Sequence, residues 1–175
     1  EIYNIFKIFG EENYSKLIYI NRMDDIDKKI LKELQKNSSL PLSELSKKIG
    51  ISSSPCWNRI KKMEELKIIL SKSIILDNKK INLPITVFLS ISIQNHSHEW
   101  LKNFQKIIQK YDEIIEVHRL TGSNSDYQLT ILSSSIEEYD KFQQKIINEI
   151  ECTNMSSHIS LQTIKKNNFY SLDYI

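Results

Sequence analysis

The sequence predicts an α+β chain in two parts, on three observations. Between residues 24 and 66 the apolar residues recur with helical period in three short runs, divided by Asn37-Ser38-Ser39 and by Gly50. From Ile85 onward, period-two and helical runs follow in the order strand, helix, strand, strand, helix, strand. Positive charge gathers in the first part: Met23 to Lys80 holds thirteen Lys/Arg against eight Asp/Glu, a net of +5, while Ile81 to Ile175 holds eight against eleven, a net of −3. The expected architecture is an N-terminal winged helix-turn-helix joined to a C-terminal ferredoxin-like βαββαβ domain.

Each element has its own warrant. In residues 24–36, Ile26, Ile30, Leu31 and Leu34 form one buried stripe, and Asp24, Asp25 and Asp27 complement the helix dipole at its start. Residues 41–49 follow with Leu42, Leu45 and Ile49 inward. Pro41 is expected in the first turn and Gly50 as a left-handed stop. The third helix runs to about Leu66, capped by Ser52 or Ser54, with Pro55 in its first turn and Cys56, Ile60 and Met63 inward. Residues 71–84 read as a linker strand ending in the polar turn Asn78-Lys79-Lys80. Ile85, Val87, Leu89, Ile91 and Ile93 then alternate with Thr86, Phe88, Ser90 and Ser92, giving one continuous apolar face of a strand. A helix over 98–111, strands over 114–120 and 127–132, a helix over 136–150 and a last strand over 158–164 complete the pattern.

Composition narrows the class. At 40% hydrophobic and 26% charged, with three glycines and three prolines, the chain suits packed cores and not a low-complexity tail. Cys56 and Cys152 have no metal-type spacing and read as reduced thiols. No apolar run approaches the ~20 residues of a membrane helix, so no membrane partner is expected, and the location expected is cytoplasmic. Residues 1–22 lack the plan of a signal peptide, although Ile2, Ile5, Phe6 and Phe9 share a helical stripe. Met23-Asp24-Asp25-Ile26-Asp27 reads like a natural start, which leaves residues 1–22 as an extension of doubtful function.

Two short helices with a glycine-containing turn, the second of them basic, are the signature of a major-groove reader. Ser52, Ser53, Ser54, Trp57 and Asn58 lie near the N-terminal end of the third helix, where side chains meet base edges. Arg59 suits a guanine or a phosphate, and Lys61 and Lys62 suit phosphates. The plainer alternative is a three-helix bundle with a lysine-rich surface, in which Trp57 packs against the first helix.

Three segments carry a resemblance: Met23-Asp-Asp-Ile-Asp-Lys-Lys-Ile-Leu-Lys-Glu-Leu-Gln, Leu42-Ser-Glu-Leu-Ser-Lys-Lys-Ile-Gly, and Ser52-Ser-Ser-Pro-Cys-Trp-Asn-Arg-Ile-Lys-Lys-Met-Glu. They resemble the leucine-responsive/asparagine-type (Lrp/AsnC) family of prokaryotic regulators, over Met23 to roughly Tyr170. The run Ser52 to Arg59 is the most specific part, and the resemblance implies that it opens the recognition helix. This chain has Lys67 where the family usually has glycine.

The resemblance also implies that the second domain senses a small effector and drives assembly. The family's Gly-x-x-Asp-Tyr motif appears here with one extra residue, as Gly122-Ser-Asn-Ser-Asp126-Tyr127. Thr121, Gly122, Ser123, Asn124, Asp126 and Tyr127 are thereby the expected effector residues. Backbone N–H groups around Gly122 suit a carboxylate, and Asp126 suits an ammonium, as an amino acid presents. The same residues also make an ordinary hairpin turn.

The function expected is a sequence-specific DNA-binding transcriptional regulator, a homodimer or multimer of dimers, that responds to a small effector such as an amino acid. Its partners are double-stranded DNA, itself and that effector. No cofactor, metal or catalytic residue is expected, since no cluster of His, Cys or paired acids stands out. A sirohaem-decarboxylase-like enzyme and a ligand-independent architectural DNA-binding protein are the alternatives.

Overall fold

The computed structural model describes residues 19, 23–94, 96–122, 125–167 and 169–175. The chain divides into two compact units, one ending at Ile74 and completed by Lys166–Ile175, the other Ile75–Lys165. The last ten residues thus fall with the first unit.

The first unit contains α1 (Asp25–Lys36), α2 (Leu42–Ile49) and α3 (Ser53–Glu65). Ile30, Leu45, Cys56 and Met63, all essentially inaccessible, form the centre of its core. Asp24 caps α1, its side chain accepting the N–H groups of Ile26 and Asp27 at 2.9 Å each. Asp27 returns a contact to the Asp24 N–H at 3.4 Å, which completes a capping box. Pro41 stands one position earlier than expected, as the extended cap of α2, with its carbonyl accepting from Glu44 and Leu45. Ser52 caps α3 through its carbonyl, to Cys56 N–H, and not through its hydroxyl.

Both α2 and α3 end in the same way. Gly50, at φ +82°, lets Ile51 N–H reach back to Ser46 and Gly50 N–H to Lys47. At the end of α3, Ile68 N–H bonds to Met63 and Lys67 N–H to Glu64, with Lys67 in the left-handed region at φ +53°. Lys67 therefore occupies a conformation that suits glycine.

The expected linker strand over 71–84 is absent: residues 71–77 are irregular and exposed, and residues 78–82 turn. Ile74, Ile75 and Leu76 are 81%, 68% and 55% exposed, so the apolar run that suggested a strand meets no neighbour strand among the described residues.

The second unit contains β1 (Ile85–Ser92), α4 (His98–Ile108), β2 (Ile114–Arg119), β3 (Tyr127–Ser133), α5 (Ile136–Glu149) and β4 (Asn154–Ile159). The strands form one antiparallel sheet in the order β2-β3-β1-β4. Val87, Leu89 and Ile91 of β1 and Leu129 and Ile131 of β3 bury one face against Phe104 and Ile107 of α4 and Tyr139, Phe142 and Ile146 of α5. This is the predicted βαββαβ fold.

The last strand lies earlier than the sequence suggested, at 154–159 instead of 158–164. Ser157 pairs with Leu89 on the buried face, and its hydroxyl meets Tyr139 Oη at 2.6 Å. A serine at an inward position hides the strand's alternation, while Leu161 and Ile164, which suggested the later one, are 98% and 84% exposed.

Candidate nucleic-acid interface and ligand cleft

The recognition-helix candidate is built around an ion pair inside the first unit. Arg59 Nη1 donates to Asp27 Oδ1 at 2.8 Å and to Asp24 Oδ1 at 2.9 Å. Asp27 is buried. The guanidinium thus pins α3 to the N-terminal end of α1. Its pKa is raised, first by the hydrogen bond to Asp27. Burial pushes the Asp24 carboxyl up, but the Asp27 N–H and the Arg59 guanidinium outweigh that and hold it below its ordinary value. Desolvation, followed by the Asp27 charge, raises the pKa of the Tyr19 hydroxyl.

This placement changes what Arg59 can do. It was expected on the outer face toward guanine or phosphate; instead its Nη1 is shared by two carboxylates of the same unit. The signal was present in the sequence as Asp24 and Asp27, but those acids are also ordinary helix-start residues, and i-to-j pairing across 32 residues has no local mark.

The other expected contacts divide. Ser54, Asn58, Lys61 and Lys62 are exposed on α3, and Ser52 is exposed at its cap. Ser53 is tied to the preceding helix, its hydroxyl 3.1 Å from that of the buried Ser46. Trp57 is half exposed, with the Lys61 ammonium 5.7 Å from its ring centroid. It borders a cleft of about 390 Å³ that also includes Leu40, Leu42 and Lys72. Lys61 and Lys62 stand 3.8 and 4.0 Å from Glu64 and Glu65, exposed pairs of little energy that a phosphate can displace.

In the second unit, the β2–β3 connection borders a cleft of about 470 Å³. Of the expected effector residues, Thr121, Gly122 and Asp126 line it, together with His96, Arg119 and Ser125. Ser123 and Asn124 lie outside the described residues. Tyr127 points elsewhere: it is buried, its ring 4.9 Å from that of Phe104 and 5.4 Å from that of Trp100. The Asp-Tyr pair therefore straddles the sheet, because consecutive residues of a strand face opposite sides.

Asp126 also holds the fold together. Its Oδ2 accepts the Ile93 N–H at 2.8 Å, and its own N–H donates to Ile91 O at 2.8 Å. Oδ1 faces His96 Nε2 at 3.6 Å. Gly122 sits at φ +79°, and a Cβ there would meet nothing within 4 Å, so backbone conformation and not space requires glycine. His96 lies just before α4, and Arg119 ends β2. The fold brings both to one cleft, to which Arg119 adds a guanidinium.

Among the described residues no group of His, Cys, Asp and Glu is arranged to hold a metal, and no helix is long and apolar enough to cross a membrane.

Comparison with known proteins agrees with this division. Residues 23–69 match the winged helix-turn-helix DNA-binding family, and residues 86–169 match the Lrp/AsnC ligand binding domain. The chain is 39% identical over 146 residues to the glutamate uptake regulatory protein of Zymomonas mobilis, covering 83% of this chain and 88% of that one. It is 31% identical to the DNA-binding transcriptional activator DecR of Escherichia coli, covering 82% and 94%. Among solved structures, an AsnC family transcriptional regulator from Agrobacterium tumefaciens superposes with a TM-score of 0.82 at 40% identity, covering 87% and 99%. Transcriptional regulator NMB0573 of Neisseria meningitidis, solved as a complex with L-Met, superposes at 0.81 with 27% identity, covering 87% and 98%. These relatives are transcriptional regulators and not enzymes, which counts against the decarboxylase alternative. The chain belongs to the Lrp/AsnC family of DNA-binding transcriptional regulators.

Proposed function

We propose that this regulator reads DNA with the exposed face of α3 and takes an amino acid in the cleft beside Gly122 and Asp126. The observation that carries the first part is the fixed presentation of α3. Arg59 locks the helix from behind to Asp24 and Asp27, leaving Ser54, Asn58, Lys61 and Lys62 outward. Ser54 and Asn58 suit base edges near the helix start, and the lysines suit the phosphates that flank the groove. In this reading Arg59 positions the helix and does not touch DNA.

The second part rests on complementary groups around one cleft. Arg119 and the backbone at Gly122 suit the carboxylate, and Asp126 Oδ1, which faces His96, suits the ammonium. The L-Met complex of the Neisseria relative supports the same ligand class. The protein works in the cytoplasm as a two-fold dimer or a multimer of dimers, so that paired recognition helices meet successive major grooves.

The experiment is a DNA-binding titration across a range of salt concentrations. Replacing Lys61 and Lys62 with alanine is expected to lower the slope of log affinity against log salt by about 1 per lysine. An unchanged slope would remove these residues from the interface.

A further inference from the structure

The last residues of the chain return to the helical unit. Gln35, near the end of α1, makes a reciprocal pair with Tyr170: its Oε1 accepts the Tyr170 N–H at 2.6 Å, and its Nε2 donates to the Tyr170 carbonyl at 3.3 Å. Leu172 is only 9% exposed and belongs to the same core cluster as Ile30 and Leu31 of α1. Lys32 faces Asp173 at 3.9 Å, an exposed contact that adds little. Tyr170–Ile175 lie beyond both family matches, which end at residues 69 and 169.

The same helix is therefore held at both ends by different partners. At its N-terminal end, Asp24 and Asp27 grip Arg59 of α3; toward its C-terminal end, Gln35 grips the tail. A 12-residue helix is a stiff rod of about 18 Å, so a constraint at one end is felt at the other. The connectivity adds a second point. The chain leaves the helical unit after Ile74, forms the whole sheet domain and re-enters at Lys166. Both ends of the sheet domain are thus tied to the helical unit, one by the covalent linker and one by the docked tail.

We propose that residues 169–173 form a strap that holds α1 and, through the Asp24–Asp27–Arg59 contacts, positions α3 for DNA. Gln35 and Leu172 are its positioning residues. The proposal rests on α3 being the DNA-reading helix. It gives the effector domain a physical route to that helix other than the linker.

The test compares the unaltered chain with Gln35→Ala, Leu172→Ala, Leu172→Met and a chain ending at Lys165. Amide hydrogen exchange is followed in α1, α3 and the sheet, and affinity is measured for one duplex recovered by selection from genomic fragments. The alanine variants and the truncation are expected to speed exchange in α1 and α3 by roughly tenfold or more, leaving β1 and β3 unchanged. DNA affinity falls in parallel while the oligomer persists, and Leu172→Met, which keeps the apolar volume, restores both. Unchanged exchange in α1 would overturn the strap, and faster exchange with unchanged affinity would overturn its role in DNA binding. If the truncated chain does not fold, Gln35→Ala, which spares the apolar contact, decides. If the unaltered chain recovers no duplex, the DNA-reading assignment fails instead, and the exchange in α1 still decides whether the strap holds the helix.

Discussion

At the scale of single residues, Arg59 and Lys67 show how side chains can serve the frame instead of the surface. Removing the Arg59 guanidinium leaves the buried Asp27 carboxylate without its counter-charge. Arg59→Ala is therefore expected to cost about 3 kcal/mol of stability, read by denaturant unfolding of the helical unit. A loss below about 0.5 kcal/mol would show that the ion pair does not hold α3. Lys67 points the other way. It holds a left-handed conformation at the close of α3 that favours glycine by about 1 kcal/mol. Lys67→Gly should raise stability by about that amount in the same measurement, and a decrease would contradict the strain.

The acid limb of stability follows from Asp24. Its carboxyl is held below the ordinary value in the folded state, so its contribution is complete above the unfolded pKa of about 3.9. That contribution fades as pH falls through the lower, folded pKa. Asp24→Asn is expected to lose stability at neutral pH and to flatten the acid dependence below pH ~4. Acid unfolding curves of equal steepness would contradict it.

At the scale of elements, the helices and β1 were legible because their apolar residues keep one period from end to end. Ile26, Ile30 and Leu34, and then Val87, Leu89 and Ile91, face one way without interruption. Where an inward position is polar, the reading fails. Ser157 interrupts the alternation of β4 and is satisfied by Tyr139, a partner 18 residues away that no local pattern marks. The 71–77 segment fails for the opposite reason: its apolar residues suggest a strand, but a strand also needs a neighbour. The exposed polar and basic residues of α3 were legible from capping and charge, whereas the pairing of Arg59 was not, because its partners are distant in sequence. In the proposed ligand cleft, Gly122 and Asp126 were legible from the hairpin motif, whereas His96 and Arg119 enter only when β1, β2 and β3 are side by side. Arg119→Ala is expected to abolish a response to an amino-acid mixture while stability changes little, since its side chain lies on an exposed strand position. Asp126→Ala should weaken both, because Ile93 N–H loses its acceptor at a cost of about 1 kcal/mol. A full response in Arg119→Ala would move the ligand out of this cleft.

At the scale of the whole molecule, charge and connectivity separate the work. The basic excess lies in the first part and the acidic excess in the second, so attraction to a polyanion is confined to the helical unit. The proposed ligand cleft lies in the other unit. An effector can act on DNA binding only if it favours one arrangement of the assembly over another, which requires unequal affinity for the two states. The chain passes between the two units at Ile74–Ile75 and again at Lys165–Lys166.

The central claim is that α3 reads a defined DNA sequence under control of a small ligand. It is tested most directly by selecting bound fragments from genomic DNA with and without an amino-acid mixture. A shared, two-fold symmetric motif is expected to be enriched, and its occupancy to change when the mixture is added. Fragments recovered without a common motif, at the same yield in both conditions, would contradict it.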